Sequence, residues 1–460
     1  MTQAGAATRP ERGAELDLTI DTLAFGGNGV ARTDGYVVFV QGAVPGDRVR
    51  AVLTKRKKAY GEARTVEVLE PSPDRIDPVA DHPGAPWQVL PYERQLEVKA
   101  EQVAEALTRI GKLEGFELEP IVPAVEQWRY RNKLEYSFGT GDSGELVCGF
   151  HAPGSWETIL HIEDCLLASE RGNELRRAML AWCRSQGLEA YDRRSQSGFL
   201  RNLVVREGRR TGQFQVRLVT SEGELDTDAL RAAIQVHSLL WTQVPGVAEV
   251  STGPTEIVDG SPTFDEELGE LQVRISPDAF FQTNTEMAER LYAIAAEYAG
   301  LQGWERVYDL FCGIGTIGLT LAPRAGEVHG LELVEPAIRD AERNARDNEI
   351  TNANFYAGDA RLALRELVER EGKPDLAIID PPRPGLSQKI VRRIVEAAPS
   401  RIVYVSCNPT TLAPNAAQLV EAGYRLVKVR PVDMFPQTPH IECVALLEAG
   451  PDGVANPERD

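Results

Sequence analysis

Residues 307–322, VYDLFCGIGTIGLTLA, decide the fold of the C-terminal part of this 460-residue chain. The stretch begins as a short apolar strand, passes through a turn that contains Gly313 and Gly315, and continues as a helix. Glycine lets a backbone approach a ligand closely, and a helix N-terminus offers free N–H groups. The stretch therefore predicts a ligand site at the carboxyl end of a strand.

On both sides of this turn, short apolar strands alternate with amphipathic helices from about residue 304 onward. The strand candidates are RVYDLFCG, EVHGLEL, ANFYAGD, DLAIIDPP and RIVYVSCN, followed by YRLVKVRPVDMF and ECVALLEA. Such alternation is typical of a doubly wound, mainly parallel sheet. We therefore predict an α/β fold class with a Rossmann-like domain over residues 271–449.

Two further domains are predicted upstream. Residues 14–70 alternate in hydrophobicity between the turns GGNG, TDG and PGD, which indicates a small, OB-like β-barrel. Residues 71–270 are mainly strands with a helical insert, which is typical of an α+β domain. A helix predicted over residues 92–112 is expected to pack on the C-terminal domain.

The charge of the chain is acidic overall but basic in places. The net charge is −19 and the pI is near 5.0, which argues against a uniformly basic nucleic-acid binder. Residues 48–64, however, hold seven basic side chains against one acidic one, a local charge of +6. A second basic stretch is interleaved with aromatic residues. We predict RNA contacts by both stretches, at Lys55, Arg56, Lys57, Lys58, Arg129, Arg131 and Lys133.

The sequence lacks the marks of secretion, membrane insertion and metal binding. Its first residues contain no apolar run, and no stretch of about 20 apolar residues occurs anywhere. The six cysteines form no CxxC pair and no zinc-like cluster with histidines. We expect a reduced, cytoplasmic monomer with no membrane contact and no metal ligands.

Acidic residues at the predicted strand ends indicate the kind of cofactor. Glu332 ends the second strand of the sheet, where a carboxylate can accept ribose hydroxyls, and Asp359 ends the third. These carboxylates would repel a pyrophosphate, and the turn has no GxGxxG pattern. The arrangement resembles the class I methyltransferases and predicts S-adenosylmethionine as the cofactor.

Two later residues match the chemistry of methylation at carbon-5 of a pyrimidine. That carbon becomes nucleophilic only after a thiolate has added to carbon-6, and a base must then remove the carbon-5 proton. Cys407 in SCNP and Glu442 in HIE follow late strands of the sheet. A free cysteine is commonly just a buried small apolar residue. The strand-end position of Cys407 favours the nucleophile.

Five ordered motifs carry a resemblance to a known family. FFQTN, DLFCGIGTIGL, DPPRPGL, YVSCNPTTLA and DMFPQTPHIECVALL closely resemble the RNA uracil-5-methyltransferases, and the N-terminal barrel looks like a TRAM domain. The resemblance covers about residues 14–448. The barrel favours the 23S ribosomal RNA branch, because the bacterial transfer-RNA enzymes of the family generally lack it; transfer RNA is the alternative substrate.

The resemblance also implies roles for individual residues. Cys407 would be the nucleophile and Glu442 the general base. The cofactor site would comprise Gln282, Phe311, Thr316, Glu332, Asp359 and Asp380, together with the glycine turn. Two departures stand out, namely Thr316 where the family often has asparagine, and Pro414–Asn415 where it has Arg-Asp.

A third departure concerns iron. Many ribosomal members hold a four-iron cluster on three cysteines before a segment like PWQVLPYERQLEVK and on a fourth one further along. Here ADHPGA precedes that segment, Ala80 and Ala85 stand at ligand positions, and only Cys165 matches. A single thiolate cannot replace four, so we predict no iron–sulfur cluster.

Three other functions fit the sequence less well. In DNA cytosine-5 methyltransferases the nucleophile follows a proline, which SCNP does not match. Amino-group methyltransferases end their Asp-Pro-Pro motif in an aromatic residue, where this chain has Arg383. A non-catalytic RNA-binding factor on the same scaffold would be expected to lose Cys407, Glu442 or the cofactor carboxylates, and all are present.

Overall fold

The computed structural model describes residues 9–248, 250–451 and 453–454. Three structural blocks follow one another along these residues: a barrel-like sheet, a central α+β domain and a C-terminal α/β domain. The predicted α/β fold class, with a strand-rich N-terminus and a Rossmann-like C-terminus, is confirmed.

The N-terminal block is a six-stranded sheet in the order β1-β5-β6-β4-β3-β2. Only β4 and β6 are parallel. Alternate side chains of β4 and β5 point inward, and Val38, Val40 and Leu53 are fully buried in its core. Its strands are β1 Glu15–Thr19, β2 Thr22–Leu23, β3 Gly29–Thr33, β4 Tyr36–Gln41, β5 Arg48–Arg56 and β6 Tyr60–Glu70.

The segment after the barrel packs on the C-terminal domain rather than on the central domain. Helix α1 (Tyr92–Glu105) ends in a π-helical turn (Ala106–Ile110), and the short strand β7 (Glu117–Leu118) follows. Val103, Ala106 and Leu107 are buried in the core formed with the C-terminal sheet. The structure thus adds residues 92–118 to the C-terminal layers, although they precede the central domain in the chain.

The central domain is a seven-stranded sheet in the order β10-β9-β8-β11-β12-β13-β14, in which only β12 and β13 are parallel. Helix α2 covers one face and buries Leu175, Met179 and Cys183 against it. The elements are β8 Lys133–Thr140, β9 Leu146–His151, β10 Ile159–His161, α2 Glu170–Ser185, β11 Leu200–Glu207, β12 Phe214–Thr220, α3 Thr227–Ala233, β13 Ser238–Gln243 and β14 Thr255–Gly260.

A hairpin and a helix lead into the C-terminal domain. The hairpin consists of β15 (Phe264–Leu268) and β16 (Leu271–Ile275), and α4 (Thr285–Ala299) follows it. The remaining elements alternate strand and helix: β17 Arg306–Leu310, α5 Thr316–Leu321 with a 3-10 turn Ala322–Arg324, β18 Glu327–Glu332, α6 Glu335–Asp347, β19 Ala353–Ala357, α7 Ala360–Glu371, β20 Leu376–Ile379, α8 Gln388–Ala397, β21 Arg401–Ser406, α9 Pro409–Glu421, β22 Tyr424–Val432 and β23 Glu442–Ala449.

The C-terminal sheet has the order β19-β18-β17-β20-β21-β23-β22-β7. Its first five strands are parallel, and β23 is antiparallel to both of its neighbours. The strand order reverses between β17 and β20, and open α/β sheets bind ligands at such a switch point, outside the carboxyl ends of the strands. The candidate site lies at this edge.

Candidate active site

Five of the eight predicted cofactor residues line one pocket at the switch point. Gln282 enters it from the segment before α4, and Phe311, Gly313 and Thr316 enter from the turn between β17 and α5. Asp380 follows β20 and completes this set. The exposed ring of Phe280 and the buried side chains of Tyr292 and Asp309 also line the pocket. The carboxyl ends of β17 and β20 thus bring residues from three motifs together.

The turn between β17 and α5 requires glycine at Gly315. This residue has a φ of +84°, and a Cβ there would lie 3.0 Å from the ring of Phe355. It is followed directly by α5, whose first turn includes Thr316, and the Thr316 hydroxyl lies 3.1 Å from that of Tyr292. Gly315 therefore allows the tight turn by packing against Phe355, and it does not line the pocket.

Asp309 is a pocket residue that the sequence reasoning missed. Its Oδ2 accepts a 2.8 Å hydrogen bond from the Gly318 backbone, while its buried Oδ1 has no partner among the described residues. Burial, helped by the nearby carboxylates of Asp380 and Glu332 and opposed by the hydrogen bond from Gly318, raises the pKa of Asp309 to about 7. The available signal was a charged residue inside an otherwise apolar strand.

The acidic side chains that line the pocket suit a positively charged cofactor. An orphaned carboxyl oxygen of Asp309 and the carboxyl group of Asp380 line the same small space. Burial raises the pKa of Asp380 to about 7 as well. A cation entering this pocket would favour the charged forms of both acids. The residues present therefore fit S-adenosylmethionine, which carries a sulfonium and an ammonium group.

Glu332 and Asp359 lie at the strand ends where they were predicted, but outside the pocket lining. Glu332 ends β18 and accepts hydrogen bonds from the backbone of Gly313 at 3.3 Å and Val334 at 2.9 Å. Asp359 caps α7 and forms an ion pair with Arg361. Hydrogen bonds from Arg361 lower the pKa of Asp359 to about 2. Its carboxylate is therefore already engaged by a neighbouring cation.

Cys407 and Glu442 are brought together by the pairing of β21 with β23. Ser406 of β21 pairs with Cys443 of β23, so Cys407 and Glu442 are the next opposed residues beyond this last pair of the register. Cys407 is half-buried and Glu442 is buried. Burial raises the pKa of Cys407 to about 11, to which the carboxyl groups of Glu442 and Asp380 contribute. Burial also raises the pKa of Glu442 well above its usual range, with Asp380 contributing.

One exposed arginine opposes these effects. The positive charge of Arg383 lowers the pKa of both Cys407 and Glu442. Its guanidinium lies 3.4 Å from Nδ1 of His440, and its backbone carbonyl accepts hydrogen bonds from Asn408 and Thr411. Burial and the charge of Arg383 lower the pKa of His440 to about 4. Arg383 is thus the cation whose charge opposes the effect of burial on Cys407 and Glu442.

The departure at Pro414–Asn415 has a structural explanation. Asn415 is buried in α9 and exchanges hydrogen bonds of 2.8 and 3.0 Å with the backbone of Leu386. The Tyr404 hydroxyl also donates to Asn415, at 3.0 Å. Asn415 therefore anchors the loop that carries Asp380 and Arg383, even though it differs from the residue that the resemblance led us to expect.

The basic stretch of the barrel is only partly available to a ligand. Lys55 forms an ion pair with Glu62, and Arg48 and Arg50 are paired with acids of neighbouring strands. Arg56, Lys57 and Lys58 are exposed at the β5–β6 hairpin and form no salt bridge within the described part of the chain. The hairpin tip, defined as residues 56–58, therefore holds most of the unpaired positive charge of this stretch, and exposed Arg64 adds one further cation.

The three central-domain cations differ in their surroundings. Arg129 is paired with Asp164 at 2.7 Å, and Lys133 is half-buried near Asp278, where burial lowers its pKa. Arg131 instead lies over the ring of Phe435, 5.9 Å from its centroid, and its charge lowers the pKa of His440. Of the three, Arg131 lies near the site of Cys407 and Glu442.

The region where the sequence resemblance suggested iron ligands is filled by packed side chains. His82 Nε2 lies 3.3 Å from Cys165 Sγ, and the ring of Phe150 contacts that of His82. Ala85 is fully buried nearby, in the turn that follows His82. Within the described ranges, no group of three or more His, Cys, Asp or Glu side chains is arranged to hold a metal ion. In the same ranges, no helix is long and apolar enough to cross a membrane.

Comparison with known proteins finds matches along nearly the whole chain. A family model described as tRNA (Uracil-5-)-methyltransferase matches residues 267–450, and a TRAM domain model matches residues 9–66. An uncharacterized RNA methyltransferase of Halalkalibacterium halodurans is 38% identical over 444 residues, which are 94% of this chain and 96% of the relative. Another uncharacterized RNA methyltransferase, of Porphyromonas gingivalis, is 40% identical over 463 residues, which cover 94% of this chain and 99% of the relative.

A solved structure aligns over the same extent. The Pyrococcus abyssi tRNA (uracil-54, C5)-methyltransferase in complex with S-adenosyl-L-homocysteine has a TM-score of 0.78 and 30% identity, covering 94% of this chain and 99% of that one. Together with the acidic pocket at the switch point, these matches define an S-adenosylmethionine-dependent methyltransferase that acts on RNA. The chain belongs to the RNA (uracil-5-)-methyltransferase family. The predictions of an enzyme, of its cofactor and of an RNA substrate are confirmed.

Proposed function

We propose that this protein methylates carbon-5 of a specific uridine in ribosomal RNA, with Cys407 as the nucleophile and Glu442 as the general base. The proposal rests on one observation. Cys407 and Glu442 lie opposite each other, and both are close to Asp380, which lines the cofactor pocket. A thiol and a carboxyl group next to a methyl-donor site are what carbon-5 methylation requires.

In this mechanism, the half-buried Cys407 thiol gives its proton to solvent, and the thiolate adds to carbon-6 of the uracil, which makes carbon-5 nucleophilic. When bound, S-adenosylmethionine would supply the methyl group that carbon-5 takes, and its positive charge would favour the thiolate and carboxylate forms nearby. Glu442 then takes the proton from carbon-5, and the Cys407 thiolate leaves carbon-6. Arg383, whose charge already lowers the pKa of both groups, stabilises their ionised forms.

RNA binding in the proposal rests on the exposed cations of the barrel and on Arg131. The hairpin tip offers charge that no acid of the described residues neutralises. Arg131 lies over Phe435, near Cys407 and Glu442. A target uridine must leave its stack to reach a half-buried thiol, so an unpaired or loop uridine is the expected substrate.

Two observations bear on the choice of RNA. The barrel and the segment at residues 86–99 resemble the ribosomal branch, which supports ribosomal RNA as the first candidate. The aligned Pyrococcus abyssi enzyme is a transfer-RNA methyltransferase and matches over 99% of its length, which favours transfer RNA as the second. Ribosomal RNA therefore stays the first candidate on the barrel and residues 86–99 taken together, with transfer RNA as the alternative.

The deciding experiment maps 5-methyluridine across total RNA from cells with and without the protein. Loss of the base from one ribosomal position supports the first candidate, and loss from transfer RNA supports the second. Purified protein is then given each RNA. We expect Cys407→Ala to abolish methylation while it retains S-adenosylmethionine binding. Equal rates for Cys407→Ala and wild type would refute the mechanism.

A further inference from the structure

The loop that delivers Glu442 is held by parts of the chain outside the C-terminal sheet. This loop, residues 433–441, joins β22 to β23 and will be called the base loop. At its start, Lys99 Nζ of α1 lies 2.6 Å from Asp433 Oδ1, and both side chains are fully buried. In its middle, the Tyr130 hydroxyl of the central domain donates to the Pro436 carbonyl at 3.1 Å.

The N-terminal barrel contacts the end of the base loop. The turn between β2 and β3 reaches over α1, where Gln102 Nε2 donates to the Leu23 carbonyl at 3.1 Å. Phe25 packs against the core formed with the C-terminal sheet. Gly27, at the tip of this turn, lies against Pro439, which is separated from Glu442 by only two residues.

The contact at Gly27 leaves no room for a side chain. A Cβ at this position would lie 2.9 Å from Cβ and 3.0 Å from Cγ of Pro439, and 3.1 Å from Nε1 of Trp87. Trp87 is itself buried, and its backbone N–H donates to the base loop at the Gln437 carbonyl. Because both neighbours are rigid and enclosed, added volume at Gly27 would displace Pro439.

We propose that Gly27 is a positioning residue for the reaction: its close approach to Pro439 seats the end of the base loop and so fixes Glu442 opposite Cys407. The inference rests on the proposed role of Glu442 as the base. It gives the barrel a second task besides holding RNA, because the same domain then sets the geometry of proton removal.

The turn contains its own matched control. Gly26 has a φ of +93° and Gly27 a φ of +91°, so alanine is equally strained at either position. A Cβ at Gly26, however, has nothing within 4 Å. Comparing Gly27→Ala with Gly26→Ala therefore separates the contact with Pro439 from the cost of the backbone conformation.

We expect Gly27→Ala to lower kcat for uridine methylation by about tenfold or more relative to Gly26→Ala, since small misplacements of reacting groups cost such factors. S-adenosylmethionine affinity should match between the two variants, and because the extra volume at Gly27 also costs stability, both are assayed well below their unfolding midpoints. If Glu442 is displaced while Cys407 is not, covalent protein–RNA adduct should accumulate in Gly27→Ala on denaturing gels. A defect in folding alone would not produce that adduct.

A rescue experiment completes the test. Pro439→Gly removes both proline carbons that a Cβ at Gly27 would meet, so Gly27→Ala combined with Pro439→Gly should recover most of the activity of Pro439→Gly alone. Equal kcat for Gly27→Ala and Gly26→Ala, or no recovery in the double variant, would overturn the positioning role. Absence of methylation by the wild-type protein would instead contradict the proposed function itself.

Discussion

Cys407 and Glu442 lie opposite each other because Ser406 pairs with Cys443 where β21 meets β23. A register shift of one residue in this pair would turn the two side chains to opposite faces. The antiparallel strand β23, inserted between β21 and β22, is therefore what joins two motifs that are distant in the sequence into one site.

The first prediction concerns Glu442. Glu442→Gln removes the proposed proton acceptor but leaves the proposed nucleophile Cys407 in place, so the covalent adduct should persist. We expect a protein–RNA band that resists denaturing gel conditions and that is absent from the Cys407→Ala, Glu442→Gln double variant. Rapid product formation without any such band would show that another group takes the proton.

The second prediction concerns the thiol of Cys407. Its pKa is raised to about 11 in the free protein, so the reactive thiolate should increase about tenfold for each pH unit between 7 and 10. The other five cysteines are buried, which makes Cys407 the accessible one. Iodoacetamide labelling, followed by mass spectrometry of the Cys407 peptide, measures the rate at each pH.

Arg383 provides the control for that measurement. Its charge lowers the pKa of Cys407, so Arg383→Gln should label more slowly than wild type at every pH in this range. A labelling rate that levels off near pH 7 would contradict the raised pKa.

The third prediction concerns RNA affinity. Replacing Arg56, Lys57 and Lys58 with alanine should weaken RNA binding and reduce the slope of log Kd against log salt by about 2, because three exposed cations no longer displace counterions. The matched control replaces the same number of ion-paired cations, Arg48, Arg50 and Lys55. Binding titrations at several salt concentrations test both variants, and equal slopes for the two would refute a role for the hairpin tip.

The fourth prediction concerns stability. Lys99→Met leaves the Asp433 carboxylate buried without its cation, and Tyr92 then remains as its hydrogen-bond donor. We expect a loss of about 3 kcal/mol in the free energy of unfolding, measured by denaturant titration. Arg339→Ala, which breaks an exposed ion pair with Glu335, should leave the unfolding midpoint nearly unchanged.

The fifth prediction concerns iron. The packed contact of His82 with Cys165, and the buried Ala85 beside it, leave one thiol where a cluster needs four. Protein treated with iron and sulfide under reducing conditions should bind no stoichiometric iron and show no visible charge-transfer absorption. One cluster per chain would refute the prediction.

Much of the C-terminal domain could be predicted because its strands are continuous apolar runs that end in polar motifs. The placement of Gly313 and Asp380 at one pocket follows from that pattern and from the rule for switch points, whereas Gln282, Phe311 and Thr316 were implied by the family resemblance. The resemblance to a known family then supplied the roles of Cys407 and Glu442.

Other features depend on side-chain pairing that neither a charge count nor a strand pattern reveals. Arg129 is engaged by Asp164 and Lys55 by Glu62, so counting basic residues overstated the free charge at both places. Asp359 forms an ion pair with Arg361, only two residues away. Its position at a strand end could not show whether its carboxylate would be paired or free. Asp309 was not predicted as a pocket residue, because its position inside a strand indicates only that it is buried. That one of its oxygens lacks a hydrogen-bond partner depends on the packing around it.

The buried pair of Lys99 and Asp433 has a consequence for biosynthesis. Its members are 334 residues apart, so the lysine leaves the ribosome long before its carboxylate exists. Helix α1 and β7 are likewise made before the sheet whose layers they complete. A fragment that began at residue 271 would carry every proposed catalytic residue and yet leave a buried anion without its counter-ion. The methyl-transfer unit is therefore not a detachable module, and its last stage of folding must wait for the final strands of the nascent chain.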